Sequence, residues 1–173
     1  HFATWIASLA HTTVAASVSA ALVLAAPRRM RPVAAIVGVI YTAATGVSTM
    51  IGGWHRPSDA VAAIAIALGW AALVLALDGR SHPVVRTGRA TSVVAGSLFA
   101  GGVVGGGFAL AALSRAMALP SVLDQPRQDL LAAYGGGALG VLAASCLAFG
   151  VLVVLLSLAD HEGPAGDGGV RAG

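Results

Sequence analysis

Residues 131–158 read LAAYGGGALGVLAASCLAFGVLVVLLSL, 28 positions without a charged side chain. A helix rises about 1.5 Å per residue, so about 20 apolar residues cross the ~30 Å hydrocarbon core of a bilayer. This stretch is long enough to do so, and it is too long and continuous for a strand. Working outward, four more windows qualify: from Phe2 or Ser8 to Ala26, Pro32 to Ile51, Ser58 to Leu77, and Val93 to Leu119. The alternation expected of a transmembrane β-barrel is absent. Over its 173 residues the chain is 57% hydrophobic and only 10% charged. Soluble domains carry about 25% charged residues, and so little charge cannot cover a water-facing surface. The expected fold is all-α: a polytopic transmembrane helix bundle of about five spans.

The connections orient the bundle. All ten basic residues are arginines, and the formal net charge of +3 is too small to argue for nucleic acid. Arg28, Arg29 and Arg31 crowd the first connection, and Arg80, Arg86 and Arg89 lie between Asp78 and Ser92. Five spans put these two segments and the polar tail from Asp160 on one side, which the positive-inside rule makes cytoplasmic. The expectation is a multi-pass plasma-membrane protein with a cytoplasmic tail. Its organisation reads as a three-helix half over residues 1–78, two glycine-rich helices over 79–159, and a polar, disordered tail over 160–173. The glycines at 101, 102 and 105–107 in the fourth span and 135–137 and 140 in the fifth let helix backbones approach closely in lipid. They suit mutual packing or a membrane-protein partner. Cys146, the single cysteine, reads as a packing residue with no internal disulfide to form.

Two polar sites interrupt the apolar chain on the same expected, non-cytoplasmic face. One is His11-Thr12-Thr13, at or near the start of the first span. The other runs Ser48-Thr-Met-Ile-Gly-Gly-Trp-His-Arg-Pro-Ser-Asp59. The first span runs inward and the second outward, so His11 and His55 come to similar depth. Pro57 suits the first position of a helix, and an acidic residue suits its first turn. His55 and Asp59 are four apart, so on a helical turn the carboxylate can accept a hydrogen bond from one ring nitrogen. That fixes the tautomer and leaves the other nitrogen with its lone pair outward. An imidazole nucleophile needs this arrangement, and a second histidine can donate a proton to a leaving oxygen. The bland alternatives are a carbonyl-bonded His11 and a simple interfacial loop and helix cap at His55 and Asp59.

These residues resemble the type 2 phosphatidic acid phosphatase family. Ser48, His55 and Asp59 fall in register with its last signature, Ser-Arg-x5-His-x3-Asp, and His11-Thr12-Thr13 is similar to the continuation of its Pro-Ser-Gly-His signature. The run Gly52 to Asp59 is similar to members from high-GC Gram-positive bacteria. The resemblance covers about residues 8–78. It implies a metal-free, cofactor-free membrane hydrolase acting on a lipid or isoprenoid phosphate or diphosphate. His55 would attack phosphorus to form a phosphohistidine, Asp59 would orient it, and His11 would protonate the leaving group. Ser48, Thr49, Arg56 and Thr12 would line the phosphate site.

The sequence also departs from that pattern. Thr49 stands where the family has a phosphate-binding arginine, and Ser8-Leu9-Ala10 replaces Pro-Ser-Gly before His11. The family's first signature, a lysine followed after six residues by Arg-Pro, has no counterpart upstream. With His1 in place of a methionine, a fragment or processed chain is expected. These departures favour an alternative, a non-catalytic phosphatase-like subunit of a membrane complex. No zinc-type ligand spacing is found, and the glycine clusters lack the strand and lysine of a nucleotide loop. Arg127 and Asp129 read as part of a solvated loop, and His82 and His161 as solvated residues without a role.

Overall fold

The computed structural model describes residues 2–52, 56–78, 88–117 and 127–159. Five helices account for nearly all of them: α1 (Phe2–Ala25), α2 (Arg31–Ile51), α3 (Pro57–Asp78), α4 (Arg89–Met117) and α5 (Arg127–Ala159). No strand occurs among the described residues. Four helices are long and apolar enough to cross a membrane, over Arg31–Ile51, Pro57–Leu77, Arg89–Arg115 and Leu131–Ala159, and His11–Ala25 of α1 forms a shorter apolar stretch. The expected all-α bundle is therefore the observed one. The expected tail from Asp160, His82, His161, and the greater part of the connections at 79–87 and 118–126 lie outside the described residues.

Two helices start well before their hydrophobic windows. Helix α4 starts at Arg89 and α5 at Arg127, each four residues before its apolar run, so Arg127 and Asp129 lie in a helical turn and not in a loop. Apolarity marks the part of a helix that suits lipid, whereas the backbone ladder continues wherever each N–H finds a carbonyl. At α4 the Gly88 carbonyl accepts from the N–H groups of both Thr91 and Ser92, at 2.9 and 3.3 Å. Pro27 lies just beyond the end of α1, in keeping with a ring that cannot continue a helix. The Arg31 Nε–H donates to the Ala26 carbonyl at 3.3 Å and covers an acceptor that α1 leaves open.

The helices pack as a four-membered ring in the order α1, α2, α5, α3, with α4 lying mainly along the outside of α5. Neighbours in the ring touch extensively, whereas the diagonal pairs α1–α5 and α2–α3 touch little. Two core clusters fill the ring. One, toward the Arg28–Arg31 turn, gathers Val23, Ala35, Val39, Phe149, Leu152 and Leu156, with Cys146 packed against it. The other gathers Ala16, Met50, Ala60, Ile64, Ala67 and Val141. Lipid is as apolar as leucine, so close packing and interhelical hydrogen bonds hold such faces together. Most buried residues of α3 obey this rule: Ala60, Ala63, Ala67 and Ala71 form a stripe of small side chains beside the larger Ile64. The Thr42 hydroxyl of α2 donates to Ser19 Oγ of α1 at 3.5 Å inside the bundle.

The glycine clusters divide by position. A Cβ at Gly102 would stand 2.6 Å from Leu147 Cγ and 3.1 Å from the Ala143 carbonyl oxygen, so α4 and α5 meet there nearly backbone to backbone. Gly101 faces open space. Gly102→Val should therefore destabilise the protein by about 1–3 kcal/mol, the usual range for overpacking. Gly101→Val, which carries the same change in helix propensity, should stay within roughly 0.5 kcal/mol. Unfolding in mixed micelles titrated with SDS measures both, and equal effects would contradict the helix crossing.

Candidate active site

Two of the residues singled out in the sequence, Thr12 and Thr49, border a single packing junction at Gly46. A Cβ at Gly46 of α2 would lie 2.8 Å from Val141 Cγ1 of α5, 3.5 Å from Ala60 Cβ of α3 and 3.9 Å from Thr12 Cγ2 of α1. Here α2 meets the other three ring helices, because glycine leaves the room that closes the α2–α3 diagonal. Thr12 follows His11 directly, and Ala60 follows Asp59 directly. With about 1.5 Å of rise per residue, His11 and Asp59 lie within roughly one helical turn of the same depth. His11 sits nine residues into α1, about 13 Å from its first residue, and so within the helix and not at its start. Its side chain is exposed, whereas its neighbour Thr12 is buried. His55, with Gly53 and Trp54, lies outside the described residues.

Asp59 occupies the first turn of α3 and closes it. The Arg56 backbone N–H donates to Asp59 Oδ2 at 3.2 Å, and the Asp59 N–H donates to the Arg56 carbonyl at 3.0 Å. The first bond is one half of a capping box, with an aspartate in the glutamate's place, and the second is an ordinary backbone turn bond. The Ser58 hydroxyl donates to Asp59 Oδ1 at 3.5 Å. Both carboxylate oxygens are thus held in place, yet each can accept more than one hydrogen bond. A carboxylate fixed in this way can orient a neighbouring donor. The side chain of Arg56 is exposed at the same end of α3.

The other expected site residues separate into two groups. Ser48 is exposed, and its hydroxyl donates to the Ala44 carbonyl at 2.6 Å. Thr49 is buried, only 6% exposed, and its hydroxyl donates to the Gly46 carbonyl at 2.8 Å. Thr49 therefore serves the junction side of α2. Thr12 is 1% exposed, and its Oγ1 has no hydrogen-bond partner among the described residues.

Sequence reasoning did not find the contribution of α5. A Cβ at Gly137 would stand 2.7 Å from Pro57 Cγ and 2.8 Å from Met50 Cε. The last turn of α2 and the first turn of α3 thus both rest on α5 at one glycine. The triple glycine at 135–137 was the available signal, but nothing in it says which helix it receives. Gly136 faces Ala112 of α4, with 2.9 Å between an added Cβ and Ala112 Cβ, while Gly135 faces open space.

Residues 10–83 match the model of the PAP2 superfamily. The matched segment, somewhat less than half of the chain, holds both polar sites and the helices α2 and α3 entire. The resemblance to the type 2 phosphatidic acid phosphatases is thus a family match over that segment, and it supports a phosphatase-type function in a membrane setting. No curated protein and no solved structure matches the chain.

A buried hydroxyl left without a partner costs about 1–3 kcal/mol. Thr12→Val keeps the shape of the side chain and removes the orphaned oxygen, so it should stabilise the bundle by about 1 kcal/mol in SDS-titrated unfolding. A loss of stability of that size would mean that the hydroxyl is bonded after all.

Proposed function

We propose, from the PAP2 superfamily match of residues 10–83, that the protein is a membrane phosphatase acting on a lipid or isoprenoid phosphate or diphosphate at the non-cytoplasmic face. The observation that carries this reading is the shared depth of His11 and Asp59 inside the family-matched segment, where α1 and α3 meet across Gly46. An amphiphile can keep its tail in the bilayer while its headgroup reaches a site of this kind near the interface. A soluble phosphate ester gains nothing from such a placement.

In this reading one ring nitrogen of His55 attacks phosphorus, and the bond from phosphorus to the lipid oxygen breaks. His11, in its protonated form, gives its proton to that oxygen. Asp59, already held by the Arg56 N–H and the Ser58 hydroxyl, accepts from the other ring nitrogen of His55. Water then cleaves the phosphorus–nitrogen bond and releases phosphate. The transition state spreads negative charge over the equatorial oxygens and needs cations or dipoles aimed at it. Arg56 and the N-terminal end of α3 supply the positive charge nearest to Asp59. The arginine-rich connections then face the cytoplasm of the cell that carries the protein in its plasma membrane, and the tail from Asp160 lies on that side.

One observation favours a second reading, a non-catalytic phosphatase-like subunit. Thr49, at the family's arginine position, is buried and bonded to Gly46, so it offers the phosphate no clamp. In that case the glycines of α4 that face open space, Gly101 and Gly107 among them, leave room for a partner helix.

The two readings separate in proteoliposomes given lipid phosphate labelled at phosphorus. The phosphatase reading expects an acid-labile protein label and phosphate release, with both lost in His55→Ala. His11→Ala should slow release by about 10²–10⁴-fold, the usual range for a positioned proton donor. Asp59→Asn should slow formation of the label. Release that is unchanged in His55→Ala, or no release by the intact protein, would overturn the mechanism.

A further inference from the structure

Away from the junction, toward the arginine-rich turn, α1 and α2 leave a groove of about 630 Å³ between them. This falls within the roughly 300–1,000 Å³ of small-ligand sites. Its walls are apolar, with Leu22, Met30, Val33 and Val37 each about half exposed, and Tyr41 closes the end nearer the junction. Along α2 it runs from Met30 to Tyr41, eleven residues or about 16 Å. That length is half of the ~30 Å hydrocarbon core, the depth of a single leaflet. A transmembrane partner helix would need a seam about twice as long, whereas one acyl chain needs only this much.

The mouth of the groove is positively charged. Arg28, Arg29 and Arg31 stand in the turn that joins the two helices, and no acidic residue precedes Asp59 in the chain. Arg28 and Arg31 are half-buried and already engaged within the protein, while Arg29 is exposed. Cations beside an apolar slot one leaflet deep suit an anionic headgroup with its acyl chain attached. We infer that the α1–α2 groove is a binding site for an anionic phospholipid, with its phosphate on the Arg28–Arg31 turn and one acyl chain between the helices. The site is distinct from the candidate active site, since Thr12 and Gly46 do not line it. It stands whether or not the protein is a phosphatase.

Native mass spectrometry of the detergent-solubilised full chain tests the inference, with phosphatidylglycerol and phosphatidylcholine of identical acyl chains as probes. Phosphatidylglycerol should be retained preferentially as a single adduct on the monomer. An arginine near the membrane surface contributes roughly fivefold to the binding of an anionic lipid, so Arg29→Gln should lower the preference by about that factor. Val37→Trp fills the groove and should abolish retention of both lipids, while Val103→Trp on α4, 66% exposed in open surface, should leave it intact. Equal retention of the two lipids, or retention that survives Val37→Trp, would overturn the proposal. So would a lipid-free dimer that Val37→Trp dissociates, since the groove would then belong to a second copy of the chain.

Discussion

The whole arrangement depends on the missing side chain at Gly46. A ring of four helices leaves its diagonals apart, and α2 and α3 accordingly touch little along most of their length. At Gly46 the absence of a Cβ lets Thr12, Ala60 and Val141 close in from three other helices. In lipid, where apolar surface gains little by leaving the solvent, such close approach is the main source of helix association. The junction sets the relative depth of α1 and α3. With it, the structure brings His11 and Asp59, 48 positions apart in sequence, to a common level.

The same junction bears on the chemistry. Phosphoryl transfer depends on positive charge held in place before the reaction, and α2 commits position 49 to packing. Thr49 turns inward and bonds the Gly46 carbonyl, so in the proposed mechanism the cationic role falls to Arg56, beyond the α2–α3 connection. There Asp59 and Arg56 close the first turn of α3, the Arg56 N–H donating to the Asp59 carboxylate and the Asp59 N–H to the Arg56 carbonyl. Gly137 of α5 supports both sides of that turn through Pro57 and Met50, although it lies beyond the family-matched segment. Helix α5 is therefore part of the architecture of the candidate site.

The five helices were legible in the sequence because length and apolarity alone decide whether a segment can cross a bilayer. Their partners were not. In a soluble helix the apolar stripe shows which face is buried, but here nearly every face is apolar and the stripe carries no information. Size carries it instead: Ala60, Ala63, Ala67 and Ala71 mark the inward face of α3, and Gly102 is inward where its neighbour Gly101 is not. Span direction and motif order gave the expectation that His11 and His55 share a depth; His55 lies outside the described residues, and the level found beside that of His11 is that of Asp59. The inward turn of Thr49, the orphaned hydroxyl of Thr12 and the seat provided by Gly137 depend on helix rotation, which no spacing in the sequence encodes.

The central claim is that α1 and α2 meet at Thr12 and Gly46, and paired cysteines test it most directly. The protein would carry Thr12→Cys and Gly46→Cys, with Cys146→Ala to remove the native thiol and Val141→Ala to make room. Thr12 Cγ2 lies 3.9 Å from the place of a Gly46 Cβ, so the two sulfurs fall within disulfide reach. Mild oxidation in the membrane should close this pair rapidly, whereas Val14→Cys with Gly46→Cys, whose first partner is 57% exposed on the side of α1 opposite Thr12, should stay reduced. A folded protein in which the Thr12–Gly46 pair fails to close, or closes no faster than that control, would contradict the shared level on which the site depends.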